Sequence, residues 1–120
     1  MFTNETTNDQ MDAIFQALAH EHRRRILDHL KASPGMPVGE LARLFDVSRI
    51  AVMHHLAILE RTGLVLSQKE SRIRRLYLNS VPIQQIHERW SDAYGAEWAG
   101  HLTNIKAVAE AKARKRKEKA

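Results

Sequence analysis

The chain has 120 residues, 43% of them hydrophobic and 28% charged, and no cysteine. These totals describe one ordinary globular domain and exclude disulfides, thiolate metal centres and thiol redox chemistry. No apolar run approaches the roughly 20 residues of a membrane span, and the polar start Met1–Gln10 does not read as a signal peptide, so a cytoplasmic protein without membrane contact is expected.

The formal net charge of +5 belongs to the C-terminal end, where Lys112, Arg114, Lys115, Arg116, Lys117 and Lys119 face only Glu118. The rest of the chain is neutral overall, but its charge is uneven. Between Arg49 and Arg75 the cations Arg49, Arg61, Lys69, Arg72, Arg74 and Arg75 outnumber the acids Glu60 and Glu70. A cluster of that sign points to a polyanionic partner.

In chain order, residues 1–8 are polar and are expected to be disordered, ahead of a domain over 9–110 and a basic tail over 111–120. Asn8 or Asp9 is positioned to cap a first helix whose apolar stripe is Met11, Ile14, Phe15 and Leu18. A second helix, His20–Ala32, turns Ile26, Leu27 and Leu30 inward and ends at Ser33-Pro34-Gly35. Pro37–Phe45 reads as a short third helix with Leu41, Ala42, Leu44 and Phe45 for the core.

The next helix carries the functional expectation. Ser48 caps it, Gly63 stops it, and Val52, Leu56 and Leu59 recur at helical spacing on a core face. Ile50, His54, Ala57 and Arg61 fall on the opposite side. Two short helices with a tight turn between them, the second bearing an exposed mixed face, make a helix-turn-helix whose partner is double-stranded DNA.

Ser48 and Arg49 would meet phosphate or guanine, and Ile50 and Met53 the methyl groups of thymine. His54 is the expected base reader. His55 lies nearer the core side, with base contact and a partly buried structural role both open. Leu64–Lys69 and Ile73–Asn79 then alternate with period two around Glu70-Ser71-Arg72, forming a hairpin wing. Its cations Lys69, Arg72, Arg74 and Arg75 are placed to reach the backbone or the minor groove.

A long last helix begins at Val81-Pro82, with Ile83, His87, Trp90, Tyr94, Trp98, Leu102, Ile105 and Ala109 on one stripe. A domain of this size cannot cover such a stripe, so Phe15, Trp90, Tyr94, Trp98, Leu102 and Ile105 are expected at a homodimer interface. Gly95 and Gly100 weaken that helix locally. The fold class is mainly α with a small β-hairpin, a dimeric winged helix-turn-helix.

The sequence resembles the ArsR family of winged-helix transcriptional regulators from about Asp9 to His101. The resemblance rests on Leu18-Ala19-His20-Glu21-His22-Arg23-Arg24-Arg25-Ile26-Leu27, on Glu40-Leu41-Ala42, and on the Ser48–Leu56 segment with Leu59 and Gly63-Leu64-Val65. It implies a dimeric repressor that binds an inverted-repeat operator. Pro37-Val38-Gly39 stands where metal sensors of the family carry Cys-Val-Cys. In the family's zinc site on the last helix, His87 and His101 match, while Gln85 and Trp98 occupy the other two ligand positions. The resemblance is therefore to the metal-independent branch; no metal, cofactor or catalytic residue is expected, and a small-molecule effector is left open.

His20-Glu21-His22 reads as a helix start rather than a ligand pair. No Gly-rich phosphate loop, cysteine nucleophile or Ser/His/Asp set supports an enzyme. Two alternatives stand beside the repressor: a zinc-responsive sensor using His87 and His101, and a winged-helix protein-interaction module that does not bind DNA.

Overall fold

The computed structural model describes residues 7–91 and 93–118, without the side chains of 93, 94 and 96. Tyr94 therefore lies outside the described side chains, as do residues 1–6 of the expected disordered start. The chain divides into two units, one up to Gln85 and one from Ile86. The elements run α1 (Asn8–Leu18), α2 (Glu21–Ala32), β1 (Met36–Pro37), α3 (Val38–Ala42), α4 (Arg49–Arg61), β2 (Val65–Glu70), β3 (Ile73–Leu78), α5 (Val81–Trp90) and α6 (Ala93–Glu118).

The first cap falls one residue earlier than expected. Thr7, not Asn8 or Asp9, caps α1, in a reciprocal pair: its hydroxyl accepts from the Gln10 N–H at 3.2 Å, and the Gln10 Oε1 accepts from the Thr7 N–H at 3.0 Å. Two donors that a helix start leaves unpaired are satisfied together. His20 caps α2 by the same logic, its Nδ1 accepting from the His22 N–H at 3.1 Å.

Along α1 the buried side chains are Met11, Ile14 and Ala17, while Phe15 stays exposed. The predicted stripe was therefore one residue too wide at Phe15. The core of the first unit joins this face to Ile26, Leu27 and Leu30 of α2, Leu41 of α3 and Val52, Leu56 and Leu59 of α4. Leu76 of β3 closes it from the sheet side, with α2 packed on both α4 and β3.

Two expectations around α3 need correction. The helix covers Val38–Ala42 only, with Pro37 at its cap; Phe45 is buried, but Leu44 is exposed. Pro37 lacks an N–H and has φ −64°, which suits a helix start, but Met36-Pro37 also pairs antiparallel with β3 (Met36↔Leu76, Pro37↔Arg75). The wing is therefore part of a three-stranded sheet in the order β1-β3-β2 rather than a bare hairpin. A two-residue strand is too short to leave a period in the sequence.

The β2–β3 turn holds Ser71 and Arg72 between the paired residues Glu70 and Ile73. Ser71 has φ +58°, a left-handed conformation that a side chain makes costly and glycine does not. Ser71→Gly is expected to stabilise the domain by about 1 kcal/mol, read as a rise of roughly 4 °C in Tm by thermal denaturation.

The second unit corrects the long-helix expectation. What read as one helix from Val81 is two, α5 and α6, with Ser91 outside both. A serine hydroxyl competes for backbone hydrogen bonds and favours helix ends over interiors, whereas the hydrophobic stripe continues across this point in sequence and hid the break. Within the second unit, Trp90 of α5 and Trp98, Leu102, Ile105 and Val108 of α6 are all exposed. An added Cβ at Gly100 would meet nothing within 4 Å.

The basic segment from Ala111 is helical through Glu118. Lys115, Arg116 and Lys117 occupy its last turn, where cations complement the negative end of the helix dipole.

Candidate nucleic-acid interface

Both ends of α4 are fixed by capping chemistry. The Ser48 hydroxyl accepts from the Ala51 N–H at 3.1 Å. At the other end Leu64 N–H reaches the Leu59 carbonyl at 3.1 Å and Gly63 N–H the Glu60 carbonyl at 3.1 Å, with Gly63 at φ +79°. This is a Schellman stop, which only a residue tolerant of positive φ accommodates cheaply. Val52, Leu56 and Leu59 lock the inner face with at most 1% exposure.

With that phase set, Arg49, Ile50, His54, Ala57 and Arg61 lie outside, and Met53 is half-buried beside them. Ile50 is 83% exposed, well beyond what a branched apolar side chain gains from facing water.

A cleft of about 380 Å³ joins the start of this helix to the wing, lined by Arg49 and Met53 of α4, Arg72, Ile73 and Arg74 of the hairpin, and Pro37, Val38 and Gly39 beneath. Lys69 stands directly opposite Arg74 in the strand register, so two cations share that face. Like charges so placed repel. Glu60 of α4 relieves the repulsion through an ion pair with Arg74, both partners being partly exposed. Arg72 at the turn is exposed and makes no ion pair among the described residues.

Other expected contacts fall elsewhere. Arg75 points to the opposite side of β3, where its Nε meets Glu70 at 2.9 Å and its Nη1 donates to the Gly35 carbonyl at 3.0 Å. Arg61, twelve residues along α4 from Arg49 and so about 18 Å away along its axis, borders a different cleft with Gln16, Ala17 and Arg23. His55 turns toward α2, its ring centroid 4.4 Å from that of His20 and its Nδ1 3.3 Å from an Arg23 guanidinium nitrogen. Of the two roles open for His55, this is the geometry of the structural one. Removal from water, and then the neighbouring His20 and Arg23, hold its pKa below the ordinary imidazole value.

The arginines of α2 had no assigned role in the sequence. Arg23 donates to the carbonyls of Ala17 (2.8 Å) and Gln16 (3.1 Å), and Arg24 to that of Leu18 (2.7 Å). They satisfy the C-terminal carbonyls of α1 across the turn and so tie the first helix to the helix-turn-helix. The signal was present as cations just past a predicted helix end, but their spacing does not say which carbonyls they reach. Arg25 instead stacks over Phe45, 4.9 Å from the ring centroid.

His87 and His101 are both exposed, and among the described residues neither belongs to a group of three side chains able to share a metal ion. No helix among the described residues is long and apolar enough to cross a membrane.

A helix-turn-helix domain family matches residues 18–68, from the end of α1 into β2. Over 89 residues the chain is 36% identical to the uncharacterized HTH-type transcriptional regulator YuzN of Bacillus subtilis, covering 69% of this chain and 97% of the relative. It is 31% identical over 74 residues to the transcriptional repressor SdpR of the same organism, covering 62% of this chain and 81% of the relative. An ArsR-like transcriptional regulator from a Rhodococcus species is similar in structure, with a TM-score of 0.66 and 32% identity over 92% of this chain and 98% of that one.

Proposed function

This chain belongs to the ArsR family of winged-helix transcriptional regulators and is a DNA-binding regulator; from that premise we propose that it is a homodimeric cytoplasmic repressor of an inverted-repeat operator. Each subunit lays α4 in a major groove with Arg49, Ile50, Met53 and His54 toward base edges, and Ser48 at the phosphate beside them. The wing follows the neighbouring backbone. The observation that carries this reading is the uncovered outer face of α4, sharing one cleft with the cations of the turn. Two-fold symmetry then sets two half-sites about one helical turn apart, roughly 34–36 Å. Occupying a promoter in this way excludes polymerase.

The wing cations divide by how far their charge is already compensated. Arg74 has Glu60 and Arg75 has Glu70, whereas Lys69 and Arg72 are exposed without an ion pair among the described residues. The test is an anisotropy titration on the DNA upstream of the protein's own gene, against random duplex, at two salt concentrations. Specific binding with a steep salt dependence is expected. Arg72→Ala should lower affinity for both duplexes alike and flatten the salt slope by about one unit, as loss of one phosphate contact does. Arg74→Ala should change the slope less, because Glu60 already compensates that guanidinium's charge. Equal binding of the two duplexes by the unaltered protein would refute operator recognition.

A further inference from the structure

Outside the DNA-facing surface, three imidazoles converge where α2 begins and α4 passes. His20 and His22 flank Glu21 on one element; His55 arrives from thirty-odd residues downstream, which is why spacing alone left the first two as a helix start. Their ring centroids are 4.4 Å (His20–His55), 5.3 Å (His20–His22) and 5.6 Å (His22–His55) apart. One nitrogen from each lies within 4.8 Å of the others, and all three residues are half-buried.

We propose that His20, His22 and His55 form a binding site for a divalent ion of the zinc, nickel and cobalt class, with water filling the open side. Imidazole nitrogens suit these ions, and three protein ligands plus water is a recognised zinc arrangement. Zinc–nitrogen bonds of about 2.0–2.1 Å in a tetrahedron place the nitrogens roughly 3.4 Å apart. Closing from 4.8 Å therefore asks for shifts of about 1.5 Å, which rotation of three partly exposed rings supplies.

The protonation states favour capture. Removal from water and the nearby Arg23 charge hold His20 below the usual imidazole range, and His55 is lowered as well, a direction that favours the lone pair over the proton. The Phe45 ring, 5.8 Å from that of His22, shields one side. Against this stand the charges of Arg23 and Arg24, which repel an incoming cation and set the site toward modest affinity.

Proton placement adds a consequence. The Nδ1 of His20 accepts the His22 N–H and that of His55 faces Arg23, so in each neutral ring the proton sits on Nε2. Coordination through Nε2 moves that proton to Nδ1 by way of solvent, with no net change in ring charge. Nδ1 can then no longer accept, so loading gives up the His20 cap and the Arg23 contact to His55. Arg23 keeps its carbonyl partners on α1.

The site draws on none of Pro37, Val38, Gly39, His87 and His101, and its test needs no DNA. Metal-stripped, tag-free full chain is titrated with cobalt(II), reading the visible d–d bands, and then with zinc(II), reading the ring proton signals of the histidines by NMR. One equivalent per chain is expected, with the signals of His20, His22 and His55 moving together.

His20→Asn retains a capping side chain, and His22 makes its capping bond through the backbone, so His20→Asn and His22→Asn should both fold by circular dichroism. Each should lose at least about tenfold in affinity, as disturbing even the outer shell of a metal site does. His101→Asn should bind as the parent does. Unsaturable uptake, full affinity in His22→Asn, or loss confined to His101→Asn would each overturn the assignment.

Discussion

Glutamate at both Leu102 and Ile105 is expected to turn the proposed homodimer into a folded monomer and to cost about 10²- to 10⁴-fold in operator affinity. The magnitude is that of losing avidity: two tethered reading heads gain this factor over one without any new contact to DNA. The substitution is chosen because the two side chains are 58% and 61% exposed, so little intrachain packing is removed. Glutamate is also a good helix former, so α6 itself should persist.

Trp98, Leu102, Ile105 and Ala109 recur at steps of four, three and four, the seam that lets two helices interlock, and glutamate would put charge into that seam. Sedimentation or light scattering reads the oligomeric state, and circular dichroism confirms the helix. A dimer that survives the double substitution would remove α6 from the interface and leave Phe15 of α1 and Trp90 of α5, 46% and 65% exposed, as apolar candidates. A random-duplex titration of the same variant should show a much smaller loss, since non-specific binding needs no paired half-sites.

The parts of this fold that the sequence disclosed are those where one side chain decides one local geometry. Ser48 and Gly63 fix the ends of α4, and with the ends fixed the three buried residues Val52, Leu56 and Leu59 follow from a 3.6-residue period. The wing strands were legible because alternation and a polar tip coincide, and the observed turn is Ser71-Arg72.

The features that escaped depend on partners distant in sequence. β1 exists only because β3 offers Leu76 and Arg75 to Met36 and Pro37. The pairing of Arg74 with Glu60, and of Arg75 with Glu70 and Gly35, could not be ranked from a run of cations. His55 is the sharpest instance, since its neighbour His54 lies one residue away yet faces the opposite environment. The break at Ser91 was hidden for a different reason: apolar spacing reports which side chains share a face, not whether the backbone between them keeps its hydrogen bonds.

Arg49→Ala and His54→Ala should each weaken operator binding by about 1–3 kcal/mol, or roughly 5- to 150-fold, while leaving random duplex nearly unchanged. Both side chains are exposed and neither supports the core, so melting temperature should not move. The two residues sit five positions apart, about 7.5 Å along the axis, a spacing that spans roughly two base pairs in the groove.

Arg49 stands at the first helical position and lines the cleft shared with the wing. It can present its planar fork to O6 and N7 of a guanine, a geometry lysine lacks. Arg49→Lys should therefore bind random duplex as the parent does without recovering sequence preference. If lysine restores specific binding in full, Arg49 acts as a point charge on phosphate. Equal loss on operator and random duplex for His54→Ala would likewise move that imidazole from base edge to backbone. Between them these variants separate a helix that reads sequence from one that only grips the duplex.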